Sequence, residues 1–262
     1  METQSQRDTF FNALFEIAKD DKRVIVITAD FNAPSLNQWW EKLPCQIINV
    51  GIAQQQMIAL AAGLALEGKR PYCYAIAPFA TLRAYEFIKV DVCLMNLPVV
   101  IVGVGAGLSY PEAGPTHHAT EDISIMRALP NMKIASVSSN DQIDEVLKRE
   151  GPMYVRLDRL DGKFAPRIHF KDAWGSYFEH PSFYPLWLKP FEVHIPVGTT
   201  QIITVEEHLL AGGLGSIVAE YLADNNIQIP LKRIGIDDEY FYKYGKREDI
   251  WNGEQELSSL LK

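Results

Sequence analysis

The sequence has few cysteines and no long apolar run, and both shortages limit what the chain can be. Its three cysteines, Cys45, Cys73 and Cys93, are too scattered for a disulfide framework, and no CxxC pair suggests a zinc site. No apolar run approaches the roughly 20 residues that span a bilayer, and the first residues lack the basic-then-apolar order of a signal peptide. We therefore expect a soluble protein of the reducing cytoplasm.

Basic residues are also in short supply, with 25 Lys and Arg against 33 Asp and Glu, which gives a formal net charge of -8. A general nucleic-acid or anionic-membrane binder needs a basic surface, so the charge argues against both partners. Local basic pockets for small phosphorylated ligands remain compatible with it. The 262 residues, 47% of them hydrophobic, are sufficient for a sizeable core.

Short apolar runs alternate with amphipathic stretches up to about residue 160. This alternation is typical of parallel strands that are connected by helices, and it predicts an α/β, doubly wound parallel sheet. The predicted strands are VIVIT from Val24, CQIINV from Cys45, PYCYAI from Pro71, PVVIVGV from Pro98, MKIASV from Met132 and MYVRL from Met153. Helical spacing between them indicates the helices that cover the sheet.

The pattern changes after this unit. Residues 163–189 carry many aromatics and prolines without a clear period, so we interpret them as an irregular but ordered linker. From Gln201 a smaller α/β unit follows: the strand IITV, a glycine-rich turn over 212–215, a helix through Ala223 and the strand LKRIGI. The predicted domains are therefore 1–162 and 190–262, joined by the linker.

Three segments carry the most functional information. They are GIAQQQMIALAAGLALEGK from Gly51, GPTHHATEDISIMRALPNM from Gly114 and VEEHLLAGGLGSIVAE from Val205. In this order they resemble the transketolase family and its relative that makes deoxyxylulose phosphate. PFATLRAYEF from Pro78 resembles split transketolases, whose two halves are separate proteins. The resemblance implies the C-terminal half, with a pyrimidine-binding domain and a C-terminal domain shortened by one strand-helix-strand unit.

The resemblance implies thiamine diphosphate as cofactor and a catalytic role for Gln54. In the family a glutamate at this position donates a hydrogen bond to a ring nitrogen of the aminopyrimidine and takes part in proton transfer. A glutamine amide can donate the same hydrogen bond, but it cannot gain or lose the proton. We therefore expect cofactor binding to persist and ylide formation to be slower, because general acid–base assistance contributes about 10²–10⁴-fold.

Further cofactor contacts are implied after the third strand and the fourth. The family's aromatic that stacks on the pyrimidine falls at Ala80 by gap-free counting, so we assign the role to the adjacent Phe79, which fits a core phenylalanine equally well. Arg83 belongs to the same motif. Gly105 and Ala113 replace a histidine and an aspartate that contact substrate, which predicts a wider donor pocket. Gly103, Gly105 and Gly107 would allow close approach of the cofactor ring or of a neighbouring chain.

Two residues are implied to contact substrate. His117 matches a histidine that the family keeps beside cofactor and substrate, whereas a structural role in the turn describes His118 better. Arg159 falls where relatives hold the substrate phosphate, a task that suits a guanidinium, although a surface salt bridge is an alternative.

The sequence lacks the family's GDG motif with its following asparagine, which binds magnesium and the diphosphate. The resemblance therefore implies a partner, the N-terminal transketolase subunit, which carries the Mg²⁺ ligands in an α2β2 assembly. The expected activity is transfer of a two-carbon ketol unit from a ketose to an aldehyde. Two alternatives stay open: a related carboligase or decarboxylase subunit that uses a 2-oxo acid, and a non-catalytic scaffolding subunit.

Overall fold

The computed structural model describes residues 5–172 and 182–260. Its strands are β1 (Val24–Thr28), β2 (Ile47–Asn49), β3 (Arg70–Ile76), β4 (Val100–Val104), β5 (Lys133–Ser136), β6 (Met153–Leu157), β7 (Arg167–Lys171), β8 (Trp187–Lys189), β9 (Gln201–Leu209) and β10 (Leu231–Ile236). Its α-helices are α1 (Gln6–Asp20), α2 (Asn37–Lys42), α3 (Gln54–Leu66), α4 (Ala77–Ala80), α5 (Tyr85–Phe87), α6 (Asp122–Arg127), α7 (Ile143–Leu147), α8 (Leu214–Asp224), α9 (Arg247–Ile250) and α10 (Gly253–Leu260). A π-helix, Ile88–Leu94, continues α5.

The larger sheet has the strand order β2-β1-β3-β4-β6-β5-β8. Its first six strands are parallel, and β8 pairs antiparallel with β5 at the edge. These are the six predicted strands, so the doubly wound sheet is confirmed. Alternate residues of β1 show why both faces need cover: Val24 and Val26 join one hydrophobic cluster, and Ile25 and Ile27 join the other.

Helices on both faces supply that cover. Phe10 and Leu14 of α1 are fully buried on one face, and Met57 of α3 is fully buried on the other. Helix α1 begins with a cap in which the Asp8 backbone N–H donates to Ser5 Oγ at 3.2 Å. Among the described residues, no helix combines the length and the apolar character that a membrane span requires.

The loops after β1, β2, β3, β4 and β6 all leave the carboxyl edge of the parallel sheet, because parallel strands end on the same side. The chain reverses its direction of winding between β1 and β3, where β2 has been added on one side and β3 on the other. Open α/β sheets bind ligands at such a reversal, outside the carboxyl ends of the strands. The fold therefore brings the predicted site residues to one edge.

The expectation of an irregular stretch over 163–189 is wrong for β7 and β8. Strand β7 pairs antiparallel with β9 in a second sheet of order β10-β9-β7, whereas β8 extends the first sheet. Ile168 and Phe170 of β7 alternate into the hydrophobic cluster that also covers the first sheet. The surrounding aromatics and prolines hid this short alternation. Residues 173–181 of the stretch lie outside the described residues, and the domain boundaries stay a prediction.

Candidate functional site

Gln54 is the first residue of α3 and sits just beyond the carboxyl end of β2. A tight turn leads into the helix, with Gly51 at a φ of +73° and the Ala53 N–H donating to the Gly51 carbonyl at 2.8 Å. This turn brings the Gln54 side chain inward, where the residue is 3% exposed. Its Oε1 accepts a hydrogen bond of 3.0 Å from Arg83 Nη1. The predicted ring-anchoring residue therefore has a fixed partner.

A row of side chains continues from Arg83 along the carboxyl edge. The Arg83 guanidinium lies 4.4 Å from the centre of the Phe79 ring, and Phe79 makes an edge-on contact with His117 at 5.1 Å between ring centres. Tyr110 lies 6.3 Å beyond His117, and Thr116 Oγ1 is 2.9 Å from His117 Nδ1. The structure thus brings Gln54 together with residues from the loops after β3 and β4.

Ala80 lies outside this row. Its side chain is fully buried in the hydrophobic cluster beneath the sheet, one residue after Phe79, which is half-buried and faces His117. Adjacent positions of the short helix α4 point in different directions, so only one of the two can face the edge. Gap-free counting therefore named a core residue, and the expected cofactor contact of Ala80 is not supported by its position.

Tyr110 fills the space beside Gly105. Gly105 has a φ of +93°, and a Cβ built on it would lie 2.2 Å from the Tyr110 ring. The predicted widening of the donor pocket is therefore wrong at this position, because the chain's own tyrosine occupies the volume. Gly103 and Gly107 likewise meet Tyr154 and Glu207. These glycines admit side chains of the same chain, where the sequence predicted a cofactor ring or a neighbouring chain.

Arg159, just after β6, makes the surface ion pair that the sequence offered as an alternative. Its partner is Glu112, and its guanidinium also stacks on the Tyr110 ring at 5.0 Å. Both charged side chains are about half exposed, so the pair is weak enough to exchange for a ligand. Through Tyr110, Arg159 joins the same edge as His117.

Arg159 also lines an open cleft of about 930 Å³ that contains residues the sequence analysis missed. Its polar lining includes Ser5, Arg7, Asp8, Asn12, Ser35, Asn37, Gln38, Glu41 and Arg159. Arg7 donates to Asp8 at 2.9 Å, and Ser35 Oγ donates to the same carboxylate at 2.8 Å. Burial opposes ionisation of Asp8, but hydrogen bonds from Arg7 and the two serines lower its pKa to about 2. The cleft therefore contains two guanidinium groups and one fixed carboxylate.

His118 is buried, and burial together with the neighbouring His117 lowers its pKa, so its imidazole is neutral at pH 7. Across residues 5–172 and 182–260, no three His, Cys, Asp or Glu side chains cluster in a way that could hold a metal ion.

Comparisons with known proteins agree with this geometry. Residues 2–162 match the family model described as the transketolase pyrimidine binding domain. The chain is 34% identical to one of the two subunits of the apulose-4-phosphate transketolase of Actinobacillus succinogenes, over 87% of this chain and 86% of that protein. It is 30% identical to a 1-deoxy-D-xylulose-5-phosphate synthase of Gloeothece citriformis, covering 88% of this chain and 43% of that protein.

A solved structure described as a split gene transketolase, inactive beta4 tetramer, superimposes with a TM-score of 0.79 at 26% identity. The match covers 99% of this chain and 97% of that one, so it includes the shortened C-terminal unit as well as the larger sheet. The chain therefore belongs to the transketolase family, whose members depend on thiamine diphosphate, and corresponds to the pyrimidine-binding subunit of a split transketolase.

Proposed function

We propose that this chain is one subunit of an enzyme that transfers a two-carbon ketol unit from a ketose donor to an aldehyde acceptor. The observation that supports this proposal best is the row of Gln54, Arg83, Phe79 and His117 at the carboxyl edge of the sheet. These residues come from three separate loops, and in this family that edge receives the aminopyrimidine ring of the cofactor.

The residues present fit one end of thiamine diphosphate. Gln54 Nε2 makes no hydrogen bond to the described residues, so it is free to donate to a ring nitrogen. Phe79 offers part of an aromatic surface beside it. When bound, the cofactor supplies the nucleophilic carbon that attacks the donor carbonyl. Because His117 Nδ1 is paired with Thr116, its Nε2 is the nitrogen left to hold substrate oxygens.

The cleft beside Arg159 suits a sugar with a terminal anionic group. Arg7 and Arg159 line it from elements that are far apart in sequence, and guanidinium groups recognise phosphate oxygens in pairs. The relative from Actinobacillus succinogenes is named for a phosphorylated sugar. We therefore place the phosphate of a ketose phosphate in this cleft, where it would compete with Glu112 for Arg159.

We place the diphosphate and its Mg²⁺ on an N-terminal transketolase subunit, with the cofactor bound across the interface of a cytoplasmic α2β2 complex. The neighbouring acidic residues of this chain do not form a metal cluster within the described ranges. A related subunit that uses a 2-oxo acid remains the second candidate, because the deoxyxylulose-phosphate synthase from Gloeothece citriformis is also similar.

Calorimetry tests the proposal directly. Thiamine diphosphate with Mg²⁺ is titrated into the chain alone, the N-terminal subunit alone and the mixture, and we expect tight binding only in the mixture. The loaded complex is then given a ketose phosphate with an aldehyde acceptor, or pyruvate with the same acceptor. Release of CO₂ from pyruvate would identify the second candidate. Cofactor binding without either reaction would indicate a non-catalytic subunit, and no binding in the mixture would refute the proposal.

A further inference from the structure

The hydrogen bond between Arg83 and Gln54 fixes which way the Gln54 amide points. A guanidinium carries only N–H donors, so its partner in the amide must be the oxygen. The 3.0 Å contact from Arg83 Nη1 therefore keeps Oε1 on the arginine side and Nε2 on the other. Without such a partner, the two orientations of a glutamine amide would be close in energy.

The fixed orientation leaves a permanent donor at the helix start. Gln54 lines a cavity of about 290 Å³ together with Ile52, Gln55, Arg83 and Phe87. Gln54 itself is nearly fully buried, whereas Arg83 is exposed and approaches from the solvent side. A donor held at this position needs no proton from solution, in contrast to a carboxyl group, which donates only when it is protonated.

We propose that Arg83 is a positioning residue that holds the Gln54 amide with its nitrogen toward the aminopyrimidine, and that the Arg83–Gln54 pair replaces a protonated carboxylic acid. This inference rests on the proposed function, because it requires the ring to bind at Gln54. It also assigns a reason for glutamine at this position. A carboxylate at residue 54 would lie beside the Arg83 guanidinium, which favours the ionised form and removes the donor.

A cycle of variants separates this role from simple packing. Q54E, R83M and Q54E/R83M are assembled with the N-terminal subunit, and the Kd of thiamine diphosphate with Mg²⁺ is measured by calorimetry at pH 6 and pH 8. R149M is the matched control, because Arg149 is also exposed and stacks on an aromatic ring, that of Trp187 at 5.2 Å. Since Arg83 is exposed, its replacement is expected to leave the fold intact, which thermal unfolding verifies.

We expect Q54E to raise the Kd about tenfold at both pH values, because a buried hydrogen bond to the ring is lost. In Q54E/R83M the buried carboxyl can bind a proton, so we expect its Kd to fall at pH 6 to within about threefold of the R83M value and to rise again at pH 8. R83K, whose ammonium also only donates, should behave like wild type, as should R149M.

Two results would overturn the inference while leaving the proposed function standing: a Q54E effect that is the same with and without Arg83, or a Q54E complex that binds the cofactor more tightly than wild type. A wild-type complex that binds no thiamine diphosphate would instead refute the proposed function, and the inference with it.

Discussion

At the residue scale, Gly105 combines two constraints that few positions share. Its φ of +93° is strained for any residue with a side chain, and the Tyr110 ring lies where a Cβ would be. Gly68 has a similar φ of +78°, but nothing lies within 4 Å of its Cβ position. The two glycines therefore separate backbone strain from the clash.

We expect G68A to lower the free energy of unfolding by about 1 kcal/mol, which is the strain alone. G105A should cost about 1–3 kcal/mol more, because the well-packed tyrosine must move. Urea unfolding of both variants measures the difference. Equal losses would mean that Tyr110 yields without cost, and that the histidine found here in the family could be accommodated after all.

The sequence predicted those parts of the site that lie within one motif. Gln54, Phe79 and His117 each sit in a segment that resembles the family, and the structure brings them into one row. Arg7 and Ser35 were missed, because their segments resemble an ordinary amphipathic helix and a loop. Only the fold places them in a cleft with Arg159, more than 120 residues further along the chain.

At the element scale, the start of α8 is held by a buried carboxyl group. Glu206 accepts hydrogen bonds from the backbone N–H groups of Leu214 at 2.6 Å and Gly215 at 2.7 Å. Burial nevertheless raises the pKa of Glu206 to about 7, and those two hydrogen bonds only partly offset it. Burial also lowers the pKa of the nearby His208 to about 4. The two groups affect the pH dependence of stability in opposite directions.

Glu206 binds its proton more tightly in the folded chain than in the unfolded one, so its contribution to stability falls as pH rises from about 4.5 to 7. His208 binds its proton less tightly when folded, so its contribution rises with pH from about 4 to 6.5. In E206Q the first contribution is removed. Relative to wild type, we expect the stability of E206Q to increase by about 1.4 kcal/mol per pH unit between pH 5 and 6.5.

Urea unfolding at several pH values checks this slope, and the comparison with wild type cancels the groups that the variant leaves unchanged. Parallel curves for the two proteins would mean that Glu206 is ionised throughout this range. The acidic groups held at low pKa, such as Asp8 at about 2, change only at the acid end and do not disturb the comparison.

Among the elements, strands buried on both faces were predicted and a mixed one was not. The five residues of β1 are all apolar except for Thr28, and every one is buried. In β7 the outward positions are Arg167 and His169, which are buried as well because the C-terminal segment covers them. Arg167 is paired there with Glu254 at 2.6 Å. A distant segment thus buries polar residues that look like part of a surface loop.

At the scale of the whole molecule, Arg247 connects the C-terminal segment to the site-bearing edge. It contacts Glu207 of β9 at 2.7 Å and Asp158, beside Arg159, at 2.7 Å. Glu207 in turn accepts the backbone N–H of Leu108, in the loop that leads to Tyr110 and His117. The arginine side chain is 10% exposed and both carboxylates are 4% exposed. The larger sheet, the second sheet and α9 therefore meet at one buried cation.

Removing that cation leaves two buried carboxylates without their partner, so we expect R247A to lower the free energy of unfolding by about 3–5 kcal/mol. K232A is the control, because Lys232 makes a comparable ion pair with Glu256 at 2.9 Å while both side chains stay about half exposed. Its cost should be below about 1 kcal/mol. Hydrogen exchange of the Leu108 amide should accelerate in R247A and not in K232A, since its acceptor Glu207 is released. Unchanged exchange at Leu108 would show that the loop holds its position without Arg247, and similar unfolding energies for the two variants would show that the buried network contributes no more than a surface pair.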